Sequence, residues 1–164
     1  MLLSRTFVSI WQVTVLLMLL TAPPVFGQDE AAAKAKLVSL ARASRSSDIE
    51  SVDVFRLPKG YESVSQVGPE DIEKRWHIKM TIRELRPPRE ELIAAALGVA
   101  QVRRSDRTWD LRWGIVFYSR SGRGRIGALY FDESGRYGSV DRTSVSFGSD
   151  FFGKLKNALH LSVD

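Results

Sequence analysis

Leu111-Arg112-Trp113-Gly114-Ile115-Val116-Phe117-Tyr118, then Ser119 to Gly124, then Arg125-Ile126-Gly127-Ala128-Leu129-Tyr130-Phe131-Asp132, is the stretch that decides the fold. Leu111, Trp113, Ile115 and Phe117 alternate with Arg112, Gly114, Val116 and Tyr118, the two-residue period of a strand. Ser121-Gly122-Arg123-Gly124 supplies a hairpin turn, and Ile126 to Asp132 is the returning strand. Pairing Val116 with Ala128 puts Ile115 opposite Leu129, Trp113 opposite Phe131 and Arg112 opposite Asp132. Apolar meets apolar and Arg meets Asp, an agreement that a one-residue slip destroys. One face, Trp113, Ile115, Phe117, Leu129 and Phe131, is then the main core. The other carries Val116, Tyr118, Ala128 and Tyr130. Ser134-Gly135 turns into a third strand, Tyr137 to Arg142, which brings Tyr137 within reach of the tyrosine face.

Outward from this meander the chain alternates helices and strands. Trp76, Ile78, Met80 and Ile82 alternate with His77, Lys79, Thr81 and Arg83, which predicts a strand with its apolar side buried. Ile49 to Leu57 reads as another, stopped by Pro58-Lys59-Gly60. Residues 60–71 give no clear signal beyond a turn at Gly68-Pro69, and Arg103 to Thr108 reads as a basic loop. A helix is expected over 29–45, with Asp29 and Glu30 at its positive end and Leu37, Leu40 and Ala41 as its stripe. A second, over 88–101, opens at Pro87-Pro88 and places Leu92, Ala96 and Val99 on one face, with Ile93, Leu97 and Ala100 beside them. A third, over 150–160, is capped by Ser149 and buries Phe151, Phe152, Leu155, Ala158 and Leu159. The expected fold is a single α+β domain: a mostly antiparallel sheet of about five strands ending in a three-strand meander, with about three helices packed on it.

The N-terminus carries a different pattern. Arg5 precedes the apolar run Phe7 to Leu20, then come Pro23-Pro24 and Val25-Phe26-Gly27. A short positive region, an apolar core and a small residue at the end predict a signal peptide over 1–27 and a mature domain over 28–164. The core is shorter than the roughly 20 apolar residues of a spanning helix, so no membrane span is expected after cleavage. Localisation is therefore read as secreted or periplasmic, in a bacterium. The chain has no cysteine, which excludes disulfides, thiol nucleophiles and thiolate metal sites.

Charge is uneven. Residues 28–74 hold 7 basic and 9 acidic side chains, and 75–164 hold 16 and 10. The Arg-rich half suits an anionic partner. Catalytic patterns are sparse: His77 and His160 lack the spacing of a helical metal pair, and Ser121 does not sit in a nucleophile elbow. Gly122 and Gly124 lie between strands, away from any helix start, so no phosphate loop is implied. No catalytic residue, metal or cofactor is assigned. We read a non-enzymatic binding or inhibitor-like module whose ligand-binding residues are Tyr118, Tyr130, Tyr137, Arg123 and Arg125, because tyrosines join apolar area to a polar tip and Arg forks onto anions. The partner is a protein, a glycan or an anionic surface; export argues against nucleic acid. The alternative is a small metal-independent hydrolase using paired carboxylates drawn from Asp110, Asp132, Glu133 and Asp141.

Overall fold

The structure, a computed structural model, describes residues 27–58, 66–107, 110–122 and 124–161. The predicted signal peptide lies outside these apart from Gly27, and so does Arg123. In chain order the elements are α1 (Gln28–Arg45), β1 (Ile49–Arg56), α2 (Pro69–Arg75), β2 (Ile78–Arg83), α3 (Arg89–Gly98), β3 (Val102–Arg104), β4 (Leu111–Ser119), β5 (Arg125–Asp132), β6 (Tyr137–Val140), β7 (Thr143–Phe147) and α4 (Phe151–Leu159). The class is α+β, as expected. Among the described residues there are seven strands in one sheet, ordered β2-β1-β4-β5-β6-β7-β3, and four helices. Every neighbouring pair is antiparallel.

The extra elements have local causes. The expected strand 137–142 ends at Val140 and a further strand follows from Thr143, because Asp141 turns the chain at φ 51° and its carboxylate accepts the Ala128 N–H at 2.8 Å. Val102–Arg104, expected within a basic loop, pairs with β7 at the sheet's far edge. The fourth helix, α2, arises where the sequence was silent. Pro69 opens it, and the Asp71 carboxylate accepts the Gly68 N–H at 3.1 Å, which stabilises a first turn.

The hairpin register is confirmed at Trp113–Phe131, Ile115–Leu129 and Val116–Ala128. It fails at the end: an irregularity sets Leu111 opposite Asp132, and Arg112 is ion-paired with Asp110. The main core lies between this face and α1, α3 and α4. Phe152 stacks on Phe131 at 4.5 Å and meets Trp113 edge-on at 5.6 Å. Phe147, Phe151 and Leu155 close the cluster. Gly135 turns the chain at φ 69°, where a Cβ would stand 2.4 Å from the Phe152 ring; glycine is required on both counts.

Three expectations are corrected. The last helix begins at Phe151, with Asp150 rather than Ser149 in the N-cap position and no side-chain cap hydrogen bond. On α3 the buried set is Ile93, Ala94, Ala96 and Leu97, whereas Leu92 and Val99 are exposed, since this helix packs against α1 and α4 with its stripe rotated from the one expected. The largest correction is β2. Its apolar side does share a face with the core, Met80 opposite Val54 and Ile82 opposite Val52. Yet Trp76, Ile78 and Met80 are 43%, 50% and 41% exposed. The strand is the outermost of the sheet, and α1 lies over the other half, against β3, β5, β6 and β7. No described helix is long and apolar enough to cross a membrane.

Candidate functional site

The tyrosine face is covered, though not by a terminal helix. Helix α2 lies across it, and Val116, Ala128 and Tyr130 join Phe55, Leu57, Val67, Ile72 and Leu111 in a second, smaller core. Gly114 makes the close approach possible: a Cβ there would stand 3.2 Å from both Ile72 and the Tyr130 ring. Tyr130 is 1% exposed. Its hydroxyl donates to Glu73 of α2 and accepts from Arg125 Nη2 at 2.9 Å. Arg125 Nη1 reaches the same carboxylate at 2.9 Å. Burial, then the bond to Glu73, push the phenol far above its ordinary range, so Tyr130 acts as a permanent donor. The three side chains form a latch that holds α2 on the sheet.

Of the residues singled out, the structure brings Tyr118, Arg125 and Tyr130 together. Tyr118 sits opposite Arg125 in register and packs at the margin of the smaller core. Burial and the neighbouring Asp53 raise its phenol as well. Tyr137 is engaged separately, beneath the Arg107 guanidinium at 4.5 Å.

Two open depressions flank the start of α2. One, of about 570 Å³, is lined by Arg104, Ser105, Arg107 and Ser144. The other, of about 630 Å³, is lined by Lys36, Glu73, Arg125 and Asp141. Arg142 borders both. Most cations here already hold a carboxylate: Arg142 to Glu70 at 2.9 Å, Lys36 to Asp141 at 3.4 Å, and Arg104 to Asp29 at 3.5 Å. An incoming anion has to displace a partner at each, which erodes its gain.

The carboxylates considered for hydrolysis are occupied by structure. Asp110 pairs with Arg112. Asp132 accepts from the Ser134 hydroxyl and from the N–H groups of Arg136 and Tyr137, and Asp141 from Ala128. Among the described residues no cluster of three or more His, Asp or Glu could hold a metal ion.

A second surface escaped the sequence reading. Residues 74–89, from Lys74 to Arg89, hold six basic side chains and one acidic, Glu84. Through them runs β2 with its exposed Trp76, Ile78 and Met80. Behind Ile78, in the same sheet row, stand Arg56 and Trp113. The Arg56 guanidinium lies 4.9 Å over the Trp113 ring, and its buried Nε has no hydrogen-bond partner. Lys156 lies 4.9 Å from the Phe152 ring. On the strand's other side Lys79 is neutralised by Asp53 at 2.9 Å, while Arg83 is exposed. Counting charge in a sliding window finds this run; the halves of the chain average it away.

No protein-family model, curated protein or solved structure matches the chain.

Proposed function

We propose that this chain is an exported, non-enzymatic binding module of the cell envelope or exterior that holds an anionic partner against strand β2. Export rests on the apolar run Phe7 to Leu20 and the small residue Gly27 that follows it. The observation that carries the binding reading is the coincidence of exposed apolar side chains, Trp76, Ile78 and Met80, with a strongly basic run, 74–89, of six basic side chains and one acidic. Apolar side chains at a surface supply a desolvated contact, and surrounding cations steer and select an anion. Tyr130 and Arg125 support the site at a distance, since with Glu73 they fasten α2, whose last residue leads directly into Trp76.

The test uses the purified protein against polyglutamate, a sulfated glycan and phosphatidylglycerol vesicles, with neutral counterparts as controls. Binding to at least one anionic probe is expected, weakening as salt rises. Arg83→Glu should reduce it about tenfold through charge reversal beside the contact. Absence of binding to every probe, or binding that Arg83→Glu leaves unchanged, would overturn the reading.

A further inference from the structure

We infer that the outer edge of β2 takes an acidic, extended polypeptide segment as an added strand. This rests on the reading of β2 as an anion-binding surface and names its partner. Three observations lead there.

First, β2 is terminal in the sheet order and among the described residues pairs only with β1. Antiparallel pairing directs alternate N–H and C=O groups of a strand to one neighbour, so those of Ile78–Arg83 that do not face β1 point outward along an open edge. A second polypeptide strand meets such a row in register; lipid headgroups and glycans do not. Second, Ile78 and Met80 project from one face of this edge, Trp76 stands just before the strand, and all three are about half exposed. The alternate side chains of an added strand would land beside Ile78 and Met80. Third, the charge is predominantly positive, six basic side chains to one acidic over 74–89. Arg83 on one face is exposed, and on the other Arg56 and Lys156 lie over aromatic rings. A partner strand bearing Glu or Asp complements both faces. A second copy of this chain does not: an antiparallel β2–β2 pair would bring Lys79 and Arg83 of the two copies next to each other on one face. The six residues of β2 span roughly 20 Å at about 3.3 Å per residue, enough for a segment of similar length.

The experiment titrates the protein with a labelled, capped octapeptide of alternating Glu and Val, and with phosphatidylglycerol vesicles, then measures amide hydrogen exchange across 76–84. Peptide binding is expected, with exchange at the outward amides of β2 slowed about tenfold or more, because a ladder bond closes each of them. Alternating Lys and Val should not bind. Peptide binding without protection of β2 would overturn strand addition while leaving an anion-binding surface in place. Binding of vesicles but not of peptide would overturn the inference in the same way. Failure of the peptide and of every anionic probe would remove both readings together.

Discussion

Strands β2 and β4 are written in the same pattern and meet opposite fates. Trp76, Ile78 and Met80 repeat at every second residue, and so do Trp113, Ile115 and Phe117. Ile78 and Met80 project to the same face of the sheet as Trp113, Ile115 and Phe117. Ile115 is 0% exposed and Ile78 is 50%. Alternation in a sequence tells which side chains share a face; what covers that face is decided by the strand's rank in the sheet and by where the helices lie. Strand β4 sits between β1 and β5, under Phe152 on one side and Ile72 on the other. Among the described residues strand β2 has one neighbour, and its Ile78 and Met80 stay exposed.

That comparison can be broken or sharpened by denaturation of single variants. Trp113→Ala should cost the most, roughly 3–5 kcal/mol, since it empties a site packed against Phe152. Tyr130→Phe keeps the buried ring and removes the hydroxyl bonded to Glu73 and Arg125, so about 1–2 kcal/mol is expected. A loss near zero would mean that apolar contacts through Ile72 alone secure α2. Asp48→Asn acts on the acid limb of the stability curve. The Asp48 carboxylate accepts the Ser121 N–H at 3.0 Å and the Ser119 hydroxyl at 2.9 Å, and these bonds hold its pKa below the ordinary 3.8. A depressed folded value gives stability that is fully present above the unfolded pKa and lost as pH falls through the folded one. The variant should therefore show a shallower fall of thermal midpoint below about pH 4 than the parent. Trp76→Ala should be the smallest change, under about 0.5 kcal/mol. Equal costs for Trp76→Ala and Trp113→Ala would end the distinction between the two strands.

Much of the architecture was legible, for reasons that individual residues make plain. The β4–β5 register could be read because Trp113, Ile115 and Val116 each have one apolar answer on the returning strand. The stripe of α1 and the apolar face of α4 could be read because each repeats through two turns or more. Helix α2 could not, since seven residues with one buried apolar side chain, Ile72, show no period. The turn at Asp141-Arg142 was hidden because an Asp in the left-handed region replaces the expected Gly. In the candidate site, register placed Tyr118 and Tyr130 on one face, but Arg125 joins them only through the irregularity between Phe117 and Tyr118, and Glu73, which binds Tyr130 and Arg125, lies 57 residues before Tyr130. Nothing local announces such a partner. The exposure of β2 was out of reach for the same reason, since burial belongs to the assembled layers and not to the strand.

The order β2-β1-β4 also bears on how the chain assembles. Strand β1 finds its first neighbour at Ile78–Arg83 and its second only at Leu111–Ser119. The β4 to β7 meander, by contrast, closes through short turns, so it can nucleate early while the β1–β4 pairing waits on a long loop closure. In a chain that emerges N-terminus first, Val52 and Val54 on one face of β1 and Phe55 on the other stay uncovered until β4 arrives. For that interval the β1–β2 pair is a two-stranded ribbon with an apolar edge, the species most prone to pairing with a stranger. The basic run of 74–89 gives neighbouring ribbons a like charge at that moment, which opposes their pairing.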